Sequence, residues 1–278
     1  MYRLVNDLKT TLLMGSLMGL CLAVGYLIGG TNAMVYAFIL GGLMNVIAFF
    51  FSDKIALATM RARQIGPNDD PALWGIVEQL SQRAGLPMPK VYISPAAAPN
   101  AFATGRSPRH SAVCVTTGLR QMLSERELRG VLGHELAHVK NRDILIGTIA
   151  AIMAGAITML TRFMFFTGGD DDRRGNPLIA ILLMVLAPIA ALIIQMAISR
   201  SREYEADRSG AELAQDPEAL ARSLQKLAAA NQRIPLPVPE TQSSLFIVQP
   251  LTGGGFAKLF STHPPTAERV ARLLQMRS

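Results

Sequence analysis

Gly133-His134-Glu135-Leu136-Ala137-His138-Val139 decides how this chain is read. It holds two of the four histidines, four residues apart. On an α-helix, positions i and i+4 lie on one face, so both imidazoles can converge on one ion. Glu135 projects beside the same point, where it can take a proton from an attacking water. This is the His-Glu-x-x-His zinc signature, and it requires a helix. The flanks supply one. Ser124 with Glu127 reads as a capping box. No proline falls between Arg126 and Lys140, and Leu128, Val131, Leu132, Leu136 and Val139 recur at helical spacing. The competing reading, two hydrogen-bonded core histidines, is disfavoured by that context.

Outward from this helix the chain is too apolar for an ordinary soluble domain. Half of the 278 residues are hydrophobic, only 17% are charged, and the mean hydropathy is +0.29. That composition points to membrane spans. The formal charge of +7 comes with no lysine/arginine run interleaved with aromatics. A nucleic-acid partner is therefore not expected, and the excess fits flanks that face an anionic lipid bilayer. Cys21 lies in an apolar run and Cys114 in a strand candidate, so no disulfide framework is expected.

Thr11–Gly29 and Ala33–Phe51 are uncharged runs of close to the ~20 residues that cross a bilayer. They are expected as a helical hairpin turning at Thr31-Asn32, and the first is too long for a cleaved signal peptide. Asp70-Pro71 starts a helix that ends at Gly85, and Lys90–Ser94 is a strand. Asn100–Gly105 and Ser111–Thr116 read as two strands joined by a basic turn, Arg106 to His110. In enzymes of this kind an edge strand often holds an extended peptide, which makes Asn100, Ala101, Phe102 and Ala103 the candidate substrate-binding residues. His110 is read as a solvent-exposed turn histidine.

The zinc helix runs through Lys140–Asp143 towards a third apolar stretch, Ile144–Phe166. If the helix is continuous, His138 lies about 9 Å along the axis from Ile144. A charged loop, Gly168–Gly175, precedes a fourth span, Pro177–Ser199, which Pro188 is expected to kink. That span returns Glu203-Tyr204-Glu205-Ala206-Asp207 to the side where the zinc helix began. Glu203 and Asp207 stand at i and i+4, so one can ligate while the other orients a histidine from behind. Glu205 points elsewhere. Asp216-Pro217 caps another helix, Leu245–Val248 is a strand candidate, and Gly253–Gly255 suits a lid. His263, before Pro264-Pro265 and the helix Thr266–Met276, has two readings: a capping role, or a donor to the oxyanion.

Taken together, these residues resemble the HtpX-type membrane zinc metalloproteases, relatives of the prenyl-protein (CaaX) endopeptidases. The resemblance is carried by Asn100–Gly105, by His134-Glu135-Leu136-Ala137-His138, by Glu203–Asp207 and by Ser261–Pro265 ahead of Arg269. It implies a glutamate-type zincin with one zinc ion per chain. Glu203 would be the third ligand and Asp207 the aspartate behind it. It also implies a cytoplasmic active site and degradation of misfolded or damaged membrane proteins, as in a stress response. Glu205 departs from the neutral residue expected there.

The fold expected is a mainly α membrane protein with a small β-sheet and about four transmembrane helices. Residues 1–52 form the first transmembrane hairpin and 53–143 the first part of the zincin domain. Residues 144–199 form the second hairpin, and 200–278 carry the third ligand. The excess of Lys and Arg on one side puts both termini and the active site in the cytoplasm; the location expected is the inner membrane. The expected activity is a zinc endopeptidase with Glu135 as general base and His263 as the candidate oxyanion donor. A CaaX-type processing protease and a non-catalytic zinc-binding scaffold are the alternatives. Glu135 argues against the second, since zinc binding alone needs no base between the histidines.

Overall fold

The computed structural model describes residues 2–144, 200–233 and 264–276. These are mainly helical, with one four-stranded sheet. In chain order they form α1 (Tyr2–Thr59), β1 (Arg63–Ile65), α2 (Pro71–Ala84), β2 (Lys90–Ser94), β3 (Ala101–Ser107), β4 (His110–Thr116), α3 (Thr117–Met122) and α4 (Glu125–Asn141). After the second described segment begins come α5 (Arg200–Ala214) and α6 (Pro217–Arg233), and then α7 (Thr266–Gln275). The apolar stretches at 145–166 and 177–199, the strand candidate at 245–248, the glycines at 253–255 and His263 lie outside the described residues.

The two N-terminal apolar runs lie in one helical run of 58 residues, so Thr31-Asn32 does not interrupt it as expected. No proline removes an amide from the helical ladder in this stretch. The direction changes one residue earlier, at Gly30, whose φ of +64° only glycine adopts without steric cost. Met18 Cε lies 3.6 Å from where a Cβ on Gly42 would be. A straight helix would hold those residues about 36 Å apart. The halves of α1 are therefore antiparallel neighbours. The second half runs on to Thr59, where Ala56 and Leu57, with Met60 just beyond, pack on Phe102, Ala112 and Cys114 of the sheet. Counted over the described residues alone, no helix is long and apolar enough to cross a membrane.

The sheet has strand order β1-β2-β4-β3, with β2 and β4 parallel and the outer pairs antiparallel. Successive side chains alternate between its faces. Ala101, Ala103, Val113 and Val115 join the main core with α2 and α4, while Phe102, Ala112 and Cys114 meet α1. The β3–β4 hairpin is tighter than its sequence suggests. The strands reach Ser107 and His110, leaving Pro108-Arg109 as the turn, so His110 opens β4 instead of lying in a long loop. Its Nδ1 is 3.0 Å from Ser107 Oγ. The strand β1 escapes a sequence reading because three residues carry too little alternation.

Caps fix the ends of the helices. Asp70 accepts the Leu73 amide at 3.0 Å, and Ser124 and Glu127 form a reciprocal capping box on α4. Asp216 accepts the Ala219 amide at 3.0 Å to start α6. Helix α4 does not continue towards Ile144 as its sequence allowed. Arg142 takes the left-handed conformation (φ 61°, ψ 32°). Its amide bonds the Val139 carbonyl, and the Asp143 amide bonds that of His138. This Schellman arrangement ends the helix and turns Asp143 back along it.

Where α4 crosses α5 the backbones touch. A Cβ on Gly210 would fall 2.5 Å from His134 N, and one on Gly133 would fall 2.6 Å from Gly210 O. Neither helix can carry a side chain there. Gly210→Ala is expected to cost about 1–3 kcal/mol, the usual penalty of overpacking. The denaturation midpoint would show it. Metal binding should weaken too, since Glu203 lies two turns earlier on the displaced α5.

Candidate metal centre

The α4–α5 crossing brings together three side chains from two distant stretches of sequence. His134 Nε2 and His138 Nε2 are 3.2 Å apart. Glu203 Oε1 is 3.5 Å from His138 Nε2, and Glu203 Oε2 is 3.9 Å from His134 Nε2. Ligands bonded tetrahedrally at 2.0–2.1 Å stand about 3.3 Å from one another, so the gap has the size of one ion. His134 and Glu203 are buried and His138 is half-buried.

The histidines are held from behind by carboxylates. His138 Nδ1 lies 3.3 Å from Asp143 Oδ2, brought there by the left-handed end of α4. His134 Nδ1 lies 2.9 Å from Asp207 Oδ1. Asp207 is itself gripped by Arg269 of α7, which donates from Nε at 2.7 Å and from Nη2 at 2.6 Å. Arg269 is only 1% exposed, and its Nη1 is 3.9 Å from Glu203 Oε2. A buried arginine is tolerated only where such partners surround it. On the sheet side, the Ala103 amide donates to Glu135 Oε2 at 2.8 Å, fixing that carboxylate against β3.

The charges around the gap favour a cation. Burial pushes the Glu135 carboxyl up to about 7, with Glu203 adding to the rise, while His138, the Ala103 amide and Arg269 act against it. Burial lowers the basicity of His134. Burial also works against a charged His138, but Asp143, Glu203 and Glu135 outweigh it and lift this group to about 9. For Asp207, burial would raise the carboxyl, and Arg269 and His134 more than offset it. Two neutral-capable nitrogens and one carboxylate in a negatively biased pocket are a borderline-soft donor set that suits zinc.

The structure thus assembles His134, His138 and Glu203, with Glu135 and Asp207 adjacent. Glu205 turns away, its carboxylate 3.3 Å from Ser209 Oγ. Ala101, Phe102 and Ala103 lie on β3, an outer strand of the sheet. Asn100 precedes the strand; its amide donates to Thr116 Oγ1 at 2.8 Å, and its carbonyl accepts the Thr116 amide at 2.9 Å. Two residues of the centre were not singled out from sequence. Asp143 is five residues beyond His138, off the helical spacing, and reaches it only through the left-handed cap. For Arg269 a signal existed: it shares a helix face with Leu273, at i and i+4, and both are buried.

Comparison with known proteins agrees with this architecture. The "Protease HtpX homolog" of Methylibium petroleiphilum is 53% identical over 277 residues, covering 98% of each chain. That of Pelotomaculum thermopropionicum is 50% identical over 279 residues, covering 98% of this chain and 99% of the relative. The crystal structure of S. mikatae Ste24p matches with a TM-score of 0.51 at 19% identity, over 97% of this chain and 66% of that one. At such identity the likeness is one of fold. Residues 67–277 match peptidase family M48, a span that encloses every residue of the centre, and the chain belongs to that family.

Proposed function

We propose that this metalloprotease is a membrane-embedded zinc endopeptidase that cleaves misfolded or damaged membrane proteins. The observation that carries the reading is the placement of Glu135. It is a buried carboxylate, held by an edge-strand amide, beside three ligand atoms that converge on one point. A zinc ion held by His134, His138 and Glu203 would supply Lewis acidity to the scissile carbonyl and lower the pKa of water beside it. Glu135 accepts the proton of the attacking water and passes it to the leaving amine. Its raised carboxyl pKa suits a group that must both take and return a proton near neutrality. Asp207, braced by Arg269, and Asp143 hold the two imidazoles in register. His263 is the candidate donor to the oxyanion.

The outer strand supports the substrate assignment. Ala103 turns its amide away from β4 towards Glu135, so the main-chain groups of alternate residues, including Ala101, face the outer edge, which carries no further strand among the described residues. A substrate in extended form can add there as a further strand, close to the base.

The membrane assignment rests on α1 and on the apolar stretches beyond Ile144. Each arm of α1 is long enough to cross, about 30 Å from Gly30 to Phe50. Leu12, Phe38, Ile39, Leu40 and Leu43 turn outward more than half exposed, which lipid but not water would favour. With 144–166 and 177–199 as two further spans, the centre and both termini lie on the basic, cytoplasmic side. CaaX-type processing is the weaker alternative, since it rests on fold likeness alone.

Purified full-length protein should degrade unfolded casein with zinc and stop on chelation. A chain that binds zinc yet never cleaves would overturn the reading. Asp143→Ala should weaken zinc affinity by roughly 10–100-fold, as loss of an orienting partner does. Competition with a chromogenic chelator measures this directly, whatever the activity.

A further inference from the structure

The tip of the β3–β4 hairpin, Arg106-Ser107-Pro108-Arg109, takes no part in the metal centre and lies against α1. The Arg106 guanidinium is 5.4 Å from the centre of the Phe50 ring, and Lys54 Nζ is 5.1 Å from that of Phe51. Both rings are almost half exposed. Phe50 lies about 30 Å along the helix from the bend at Gly30, and that is the thickness of the bilayer's hydrocarbon core. With the bend at one membrane face, these rings mark the other, the level at which aromatic rings and long basic side chains settle. The tip cannot drift from that level, because Ala56, Leu57 and Met60 pack on Phe102, Ala112 and Cys114 of the same hairpin.

Arg109 is exposed, as is Lys54. Among the described residues, Lys54, Arg106 and Arg109 form no ion pair, and Asp53, next to Lys54 in sequence, is half-buried. We propose that Arg106 and Arg109, with Lys54 beside them, bind the phosphates of anionic lipid headgroups in the leaflet next to the sheet. The inference rests on the reading of α1 as a membrane hairpin. Its consequence is that β3 is seated on the bilayer, with Ala103 and the base it holds about 13 Å up the strand from Ser107.

The test uses the full chain reconstituted in phosphatidylcholine vesicles containing phosphatidylglycerol. A fluorophore on Ser107→Cys, in a Cys21→Ser and Cys114→Ala background, reports quenching by trace lipids spin-labelled at the headgroup. Each basic residue at an anionic surface is worth about fivefold. Local enrichment of labelled phosphatidylglycerol over labelled phosphatidylcholine should therefore be at least about fivefold. Arg106→Glu with Arg109→Glu should abolish the preference while retaining quenching by the neutral lipid. Glutamine at both positions serves if the reversed charges cost bound zinc. Equal quenching by both lipids, or none by either, overturns the proposal. Flotation with the vesicles after an alkaline wash separates the two readings: a chain that fails to float disproves the membrane hairpin, and the headgroup site with it.

Discussion

Glu135→Gln is expected to stop proteolysis while leaving the metal in place. Glutamine keeps the size of the side chain, and its carbonyl oxygen can still accept the Ala103 amide that Glu135 accepts at 2.8 Å. What it cannot do is take a proton. The loss should reach the roughly 10²–10⁴-fold that a positioned base contributes. Glu135 lies outside the ligand triangle of His134, His138 and Glu203, so zinc stoichiometry should stay near that of the unaltered protein. Metal analysis and casein degradation on the same preparation check both halves. Activity within tenfold of normal would show that another group carries the proton.

Glu203→Ala should have the opposite signature, with metal and activity lost together. The side chain is 6% exposed, and both its oxygens face the imidazoles, at 3.5 and 3.9 Å. Without it two nitrogens remain, facing Arg269 whose Nη1 has lost the carboxylate 3.9 Å away. The fall in zinc affinity should exceed the roughly 10–100-fold expected when only an orienting partner is removed. Glu205→Ala should leave zinc binding unchanged, since that carboxylate meets Ser209 on the other side of α5. Sensitivity at Glu205 in place of Glu203 would mean that α5 is rotated from the orientation seen here.

The two variants separate roles that one geometry combines. The centre needs both α4 and α5, yet the helices meet only because Gly133 and Gly210 let their backbones touch. The geometry of the centre therefore depends on two glycines that add no side chain to it. It depends equally on the backbone of Arg142, whose left-handed conformation delivers Asp143 to His138.

Much of this was legible in the chain itself, because it depends on neighbours within one or two helical turns. The capping box at Ser124 and Glu127, the proline-led starts at Pro71 and Pro217, and the i, i+4 histidines are all local, and their elements form where expected. The strands Lys90–Ser94 and Ser111–Thr116 followed from alternation. Where several residues of one backbone path must cooperate, local pattern left the outcome open. Gly30 bends α1 although Thr31-Asn32 looked like the turn, since the choice belongs to the packing of Met18 on Gly42. Which carboxylate of the Glu203–Asp207 block stands nearest the two histidines could not follow from spacing, because both lie on one helix face. The packing of α5 on α4 and the insertion of Arg269 behind Asp207 leave Glu203 beside the two Nε2 atoms. Arg269 is 62 residues from its partner in sequence, so its helix face shared with Leu273 could not reveal which carboxylate it would meet. Helices and ligand types are written in short-range chemistry, whereas the roles of Asp143, Asp207 and Arg269 exist only once the chain has closed on itself.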